Sequence, residues 1–519
     1  MGVNLKTPRA VVALAVIGLM LVLALGGCSS ANAKHESETS TTSAKTDAVE
    51  ASTGRALPSG FLGLSMQYKA FEEYAGTDPK SVNPAFLNLI RDIAPNQSPV
   101  LRFGGDSTDW TWWPVKRMRK PGGIRYTLTP RWLQIAHAMN QQLHSRLILG
   151  VNLEAGSVKL ARTMADALVA GVGRKSIAGL EIGNEPELYS AFNWYTKKNG
   201  TGVPGRNRST WTEAAFFKQF RRFAAAMPHG VPVAGPASGS ATYLAKLGAF
   251  LKGQPRVKLA TFHAYPLKHC TKHAVTISQL LSPAATAGFA RAQARYVNVA
   301  HRHGRRVQLD EINGITCGGY RGVSDTFASA LWVLDVLFEL DKLGVDGVNM
   351  QSVPGGVQEI FGPVAGDGGS MAVRPEFYGM MMFAQASPAG SRLFTIPARL
   401  PANVKLWATR AKDRSARVTL INDNLSKPRT VHVPLSSPGG PAAVEALRAP
   451  HVGSTSGVTL GGRSFGNATS TGLLPAPVPR QLKSRHGGYT VRLPPATAIL
   501  LTVPASAAQS TSSESASTD

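Results

Sequence analysis

Eight short apolar runs, separated by helix-length segments, recur between Phe61 and Ser352. They are Phe61–Leu64 (FLGL), Val100–Phe103 (VLRF), Leu147–Val151 (LILGV) and Ile177–Ile182 (IAGLEI), followed by Val231–Ala234 (VPVA), Val257–Phe262 (VKLATF), Val307–Leu309 (VQL) and Gly347–Met350 (GVNM). Strands that alternate with helices imply parallel βαβ units. Eight such units in series fit an α/β chain closed into a (β/α)8 TIM barrel. An open doubly wound sheet is the alternative, but no GxGxxG follows the first run. One connecting helix is legible in detail. Ser324 and Asp325 can cap it, Phe327, Leu331, Leu334 and Phe338 share a face, and Gly344 ends it.

After Ser391 the pattern changes. Val404–Trp407, Ala416–Ile421, Thr430–Val433, Tyr489–Leu493 and Ala498–Val503 read as strands separated by Gly/Pro/Ser-rich turns. That spacing predicts a β-sandwich. No repeat of fixed period is present. A chain of 519 residues has room for a barrel and a smaller module.

The first residues read as an export signal. Lys6 and Arg9 precede an apolar run from Ala10 to Leu25, short for a bilayer span, which leads into Leu25-Gly26-Gly27-Cys28. LGGC resembles a bacterial lipobox, which implies a lipid on Cys28 and a place on the outer face of the bacterial cell membrane. An ordinary cleaved signal is the alternative. The expected organisation is a lipoprotein signal over 1–28, a disordered tether over 29–54, the barrel over 55–390, the sandwich over 391–505 and a disordered tail over 506–519. Cys270 and Cys317 then remain. They lie in loops after neighbouring strands of an exported chain, and they are expected to pair. No cysteine or histidine spacing suits a metal, and neither metal nor cofactor is expected.

The formal net charge of +25 favours anionic partners, such as acidic polysaccharide or lipid head groups. No basic helix or RNA-binding motif accompanies it, so nucleic acid is not an expected partner. The charge says nothing about oligomeric state.

In a barrel of this kind, active sites form at the C-terminal strand ends. Those ends read Gly104-Gly105-Asp106, Asn152-Leu153-Glu154, Asn184-Glu185, His263 to Tyr265, Asp310-Glu311 and Gln351. Asn152 or Gln351 alone suits a loop residue equally well. Glu185 and Glu311 stand across the mouth from each other, at the fourth and seventh ends. Two facing carboxylates are what glycoside hydrolysis needs: one protonates the leaving oxygen, and the other attacks the anomeric carbon or activates water. Glu154 and Glu187 are rival carboxylates. Glu187, two residues past Glu185, reads as a supporting loop group.

Four motifs add a family resemblance: LRFGGDSTDW (Leu101–Trp110), EIGNEP (Glu181–Pro186), HAYP (His263–Pro266) and EINGITCGGYRGVSDTFASALW (Glu311–Trp332). Together they resemble glycoside hydrolase family 79, the β-glucuronidase and heparanase-like group of clan A, over residues 55 to 505. The resemblance implies a retaining β-glycosidase with Glu185 as acid/base and Glu311 as nucleophile. It implies that Asn184 holds the sugar 2-hydroxyl and that Tyr265 donates to Glu311. His263, Gly105, Asp106, Asn152 and Gln351 would complete the sugar site. The sequence departs from the family where a uronate carboxylate would bind. Thr316 replaces the usual Tyr ahead of Gly318 and Gly319, and a second Tyr position falls at Phe377 beside Tyr378. β-Glucuronides remain the expected substrate. A neutral-sugar glycosidase, a transglycosylase on cell-surface glycans and an inactive carbohydrate-binding protein are the alternatives. Trp110, Trp112 and Trp113 are candidates for a sugar platform or for core packing.

Overall fold

All eight apolar runs become strands of one closed barrel in the computed structural model, which describes residues 54–270, 274–435, 440–478 and 480–505. Cys28, the tether and the tail lie outside the described residues. The strands are β1 (Leu62–Gln67), β2 (Val100–Gly104), β3 (Arg146–Val151), β4 (Ile177–Ile182), β5 (Val233–Ser238), β6 (Val257–Ala264), β7 (Arg306–Ile312) and β8 (Gly347–Gln351). They pair in chain order, every pair parallel, and β1 closes the ring against β8. Helices cover the outside, so both faces of the strands are buried and the runs read as continuously apolar.

Capping side chains fix where several helices start. Asn83, Thr129, Ser157 and Thr212 each accept a backbone N–H from the first turn of the helix that follows. The helix Phe327–Leu343 starts differently from expectation. Its N-cap is Thr326, which makes no side-chain cap bond; Asp325 instead accepts from Gly322 N and Ser324 from Tyr320 N. Gly344 ends it at φ +87°, as expected. This helix is buried on nearly every side rather than on one stripe. The barrel covers one side. On the other, Trp407 stacks on Phe338 at 5.4 Å, and Asp335 accepts from Trp407 Nε1 at 2.9 Å and from Lys405 Nζ at 2.6 Å.

Three strands run further than their apolar stretch. β5 continues through Gly235-Pro236, a pair that reads as a stop, because a register shift against β6 absorbs it. β6 and β7 continue through His263 and through Asp310 and Glu311; His263 and Glu311 find hydrogen-bond partners inside the barrel, and Asp310 lies 3.2 Å from Arg102 Nε.

The C-terminal strands form a seven-stranded sheet and a separate two-stranded ribbon, Arg429–Pro434 with Gly488–Leu493. Val418, Leu420 and Leu501 of the large sheet share a core with Val431, Val433, Tyr489 and Val491 of the ribbon. Ala442–Arg448 is a strand here although Ala, Glu, Leu and Arg favour helix; pairing with Thr497–Val503 in the middle of the sheet overrides that preference. Every described residue falls in one unit that spans Ala48–Asp519.

Candidate active site

Arg102 stands mid-strand in β2, with no exposed side-chain surface, and organises the barrel interior. Its Nε donates to Glu181 Oε2 at 2.7 Å and lies 3.2 Å from Asp310. One terminal nitrogen donates to Glu311 Oε2 at 2.7 Å and to Ser65 Oγ at 3.1 Å. The other donates to Asn184 Oδ1 at 2.8 Å and faces His263 Nε2 at 3.2 Å. A planar guanidinium fork can serve this many acceptors, whereas a single ammonium cannot.

Glu311 Oε1 accepts from the Tyr265 hydroxyl at 2.9 Å. Burial alone would raise the Glu311 pKa. A charge on His263, whenever that ring is protonated, lowers it, and so do the Arg102 guanidinium and the hydrogen bonds from Arg102 and Tyr265, which hold it below the usual carboxylate range. Asp310, beside it, moves the other way: burial and then the Glu181 charge push it well up. Gly105 lies against Glu311 with φ +62°; a Cβ there would come within 3.6 Å of Glu311 Oε2.

Glu185 leaves the end of β4 in the left-handed region, φ +44°. Its N–H donates to Ala237 O at 2.7 Å, and its Oε1 lies 3.0 Å from His263 Nδ1. One carboxylate oxygen each of Glu185 and Glu311 and one ring nitrogen of His263 fall within 4.8 Å of one another. Three such atoms could hold a metal ion, but the Arg102 guanidinium already supplies the cation beside them. For His263, burial lowers the pKa, while Glu311, the Glu185 hydrogen bond and Asp310 pull it up to about 9. That charge competes with geometry, since a protonated Nε2 would set two donors face to face at 3.2 Å. Arg102 always carries its protons, so the hydrogen bond decides: Nε2 accepts and Nδ1–H donates to Glu185.

A second hub is Asp109, buried in the loop after β2. Its Oδ1 accepts from Leu153 N at 2.8 Å and Glu154 N at 3.0 Å, and its Oδ2 accepts from Asn184 N at 2.9 Å and the Tyr189 hydroxyl at 2.6 Å. Its carbonyl accepts from Asn152 Nδ2 and Trp194 Nε1. Asp109 therefore ties the loops after β2, β3 and β4 together and sets the position of Asn184 and Glu185. Strand-end reading missed both hubs. Arg102 is a charge in the middle of an apolar run, which was the available signal; Asp109 lies beyond the strand end and gave none.

Several expected site residues stand elsewhere in function. Asn152 is consumed by loop structure, donating to Asp109 O and Thr111 O and accepting from Ala155 N. Tyr378 is in the core of the helix Pro375–Ala386, where its hydroxyl accepts from Phe465 N, and Phe377 packs on Phe361 and Phe465. Helical phase points both away from the mouth, so neither offers a hydroxyl to a sugar. Gln351 is buried next to Gly105 with Oε1 unpartnered. Asp106 is exposed at the rim. Burial and then the charges of Glu311 and Glu185 push its carboxyl up to about 7, and at an exposed rim the neighbouring charges are the better supported cause. Glu187 accepts from Gly239 N at 2.7 Å. Glu154 is pushed up to about 9, first by burial and then by Asp109, which leaves it neutral. Trp112 is core and Trp113 half-buried, while Trp110 lies under the Arg125 guanidinium at 4.0 Å.

A disulfide joins Cys270 and Cys317, with Cα atoms 5.6 Å apart. Thr316 Oγ1 accepts from His269 N, and Thr316 N donates to Leu267 O. Cys317, Gly318 and Gly319 follow with φ of +58°, +81° and +85°. Gly319 closes the turn onto Thr316 O, and the N–H groups of Cys317 and Gly318 have no hydrogen-bond partner among the described residues. A cavity of about 410 Å³ on the sandwich, lined by Gln385, Glu445, Arg463 and Arg480, shares no residue with the carboxylate cluster.

No protein-family model matches this chain. It is 22% identical over 405 residues to a β-glucuronidase of Neurospora crassa, covering 69% of this chain and 70% of that protein. It is 22% identical over 400 residues to a β-glucuronidase of Aspergillus niger, covering 70% and 71%. Among solved structures, it resembles a 4-O-α-L-rhamnosyl-β-D-glucuronidase from Fusarium oxysporum, with TM-score 0.66, 17% identity, and 87% and 99% coverage. It also resembles a GH51 arabinofuranosidase from Xanthomonas axonopodis pv. citri, with TM-score 0.60, 14% identity, and 88% and 98% coverage. At these identities the structural likeness speaks to the fold.

Proposed function

We propose that this chain is a retaining β-glycosidase of the clan A type that hydrolyses β-glucuronides. The observation that carries this reading is the approach of Glu185 and Glu311, one carboxylate oxygen of each lying within 4.8 Å of the other and of a His263 ring nitrogen. Carboxyl groups ~5–5.5 Å apart suit a covalent double displacement, whereas inversion needs ~6.5–9.5 Å to seat a water. In the first step an oxygen of ionised Glu311 attacks the anomeric carbon, the glycosidic bond breaks, and Glu185 gives its proton to the leaving oxygen. In the second, Glu185 takes a proton from water as that water attacks the anomeric carbon and frees Glu311. Asn184 holds Arg102 through Oδ1, and its Nδ2, with no protein partner among the described residues, is left to donate to the sugar 2-hydroxyl.

The unpaired N–H groups of Cys317 and Gly318 support recognition of a sugar carboxylate at C5, and the disulfide fixes that turn to the loop after β6. The β-glucuronidase relatives support the same substrate. One observation favours a neutral sugar instead: Tyr378 lies in the core and Thr316 is spent on the disulfide loop, so neither supplies a hydroxyl for a carboxylate. The comparison is kcat/KM for aryl β-glucuronide against aryl β-glucoside, with the first-formed anomer read by NMR. The uronate reading expects a glucuronide preference of at least ~10²-fold, because donors built for a carboxylate are left unpaired by a hydroxymethyl group. It expects the β-anomer first. A glucoside preference overturns the substrate, and an α-anomer overturns retention.

The LGGC motif supports an enzyme held on the outer face of a membrane by a lipid at Cys28. Mass analysis of the mature N-terminal peptide should find a diacylglyceryl group on that residue; an unmodified Cys28, or cleavage elsewhere, refutes the anchor.

A further inference from the structure

The carboxylate cluster sits at the C-terminal ends of the barrel strands. The turns that lead into the N-terminal ends make the opposite face. Those turns are residues 54–61, 94–99, 144–146, 173–176, 227–232, 254–258, 302–306 and 344–346, and together they hold nine Lys and Arg residues and one acid, Asp346. Over the whole chain the balance is 56 to 31, so the positive excess is concentrated on this face. Part of it serves the fold, because helices finish here and their last carbonyls attract cations. Arg256 donates to Ala224 O at 2.6 Å and to Met227 O and Pro228 O at 2.8 Å. Arg174 donates to His229 O, Arg146 reaches Ile177 O at 3.4 Å, and Arg55 pairs with Asp346 at 2.7 Å. The rest has no such use. Lys175, Lys258, Arg302 and Arg306 are exposed and have no ion-pair or hydrogen-bond partner among the described residues. Arg305, half-buried between the last two, has an unpartnered Nε. Arg174 and Arg256 stitch the turn before β5 to the turns before β4 and β6, and Leu259, next to Lys258, stands in register with Arg306. The free cations therefore stand on one continuous arc from β4 to β7. None of the exposed large apolar side chains among the described residues lies in these turns.

We propose that this face rests on an anionic lipid headgroup surface, with the barrel mouth turned away from the membrane. Charge complementarity carries the assignment. Unpartnered Lys and Arg side chains on a rigid arc attract anionic head groups, and their contributions add along a charged plane. The arc offers no apolar side chain to insert among acyl chains, so the contact is with head groups. It also lacks the aromatic and apolar centre around which a protein interface is built. The path of the chain agrees. Gly54 and Arg55, the first described residues, are fixed on this side, where Arg392 donates to Gly54 O at 3.0 Å and Arg55 holds Asp346. The residues that carry the LGGC motif thus join the fold on the face that would meet the membrane. A lipid at Cys28 and this face would act at the same surface, and neither needs the other.

The test is co-sedimentation of the full-length protein with vesicles of phosphatidylcholine alone and of phosphatidylcholine with phosphatidylglycerol. At ~50 mM NaCl the protein should bind the anionic vesicles at least tenfold more tightly, and the ratio should fall toward one by ~500 mM, as salt shortens the reach of surface charge. A lipid on Cys28 would add equally to both affinities, so the ratio reads the face whatever that residue carries. The variant K175Q/K258Q/R302Q/R306Q should cut the ratio at least fivefold, with the melting temperature and kcat/KM on a small aryl β-glycoside unchanged. The variant K116Q/R119Q/K197Q/K198Q, which removes the same charge from the loops at the mouth, should leave the ratio within twofold of wild type. A wild type without preference for the anionic vesicles overturns the proposal, and so does a preference that survives the first variant. Equal losses in both variants would mean that net charge alone acts, and would overturn the assignment to this face. Loss in the second variant alone would put the mouth on the lipid and reverse the orientation. If wild type hydrolyses no glycoside, the glycosidase reading fails on its own, and the vesicle ratio still reads the face.

Discussion

Glu311→Ala should lower kcat on an aryl β-glycoside by about 10⁴-fold or more, because the covalent step has no other nucleophile within reach. The fold should survive the change. Arg102 keeps Glu181 and Asp310 as partners, at 2.7 and 3.2 Å, so the guanidinium is not left unpaired. The melting temperature should therefore move little while activity disappears. Added azide should restore turnover and give the α-glycosyl azide, since a small anion can occupy the space of the lost carboxylate and attack from the same face. Glu185→Ala should behave differently. Its loss should be slight with a dinitrophenyl leaving group and roughly 10²–10⁴-fold with a poor one, because only the poor leaving group needs a proton. Activity within tenfold of wild type in Glu311→Ala would remove Glu311 from the mechanism. Equal sensitivity of Glu185→Ala to all leaving groups would remove Glu185 from the acid role.

The barrel was legible because burial on both faces forces each strand into an unbroken apolar run, and eight runs spaced by helices admit few closed topologies. The candidate pair, Glu185 and Glu311, was legible for the complementary reason: a carboxylate next to such a run has no cheap place in a core. The same logic hid the group that ties these carboxylates together. Arg102 lies inside a run, and reading strand ends passes over it, although a mid-strand charge demands buried partners more strongly than a charge at an end. Asn152 misled because its polar groups are all spent on the backbone of the neighbouring loop, which no local pattern announces. Tyr378 misled because a register step of one residue in a helix turns a side chain by about 100°, and sequence proximity to Phe377 could not say which of the two faced the mouth. Both face the core. Ala442–Arg448 was not among the strands read from the sequence; its residues favour helix, a preference that long-range pairing overrides.

Arg102→Met should damage stability and shift the pH dependence at once. The substitution leaves Glu181 and Glu311 as buried charges without their cation, a loss of about 3–5 kcal/mol by comparison with other broken buried pairs. Lysine should rescue only in part, since it places one point charge where a fork now reaches Glu181, Asp310 and Glu311. The sign with pH follows from Glu311. Its folded pKa is depressed, so its ionisation contributes stability above the unfolded value of about 4.3, and this is lost as pH falls through the folded value. In Arg102→Met the burial remains and the main compensating charge is gone, so the Glu311 pKa should rise. The stability gap between wild type and variant should therefore be wide at neutral pH and narrow as the carboxylates are protonated in acid. The acid limb of kcat/KM should move in parallel: in wild type it should lie below the ordinary glutamate range, and in the variant it should move toward neutrality, because Glu311 must be ionised to attack. Denaturant unfolding at neutral and acid pH, with the pH–rate profile of the same protein, checks both. A variant that unfolds like wild type, or keeps its acid limb in place, would mean that Arg102 neither holds the barrel interior together nor keeps Glu311 charged.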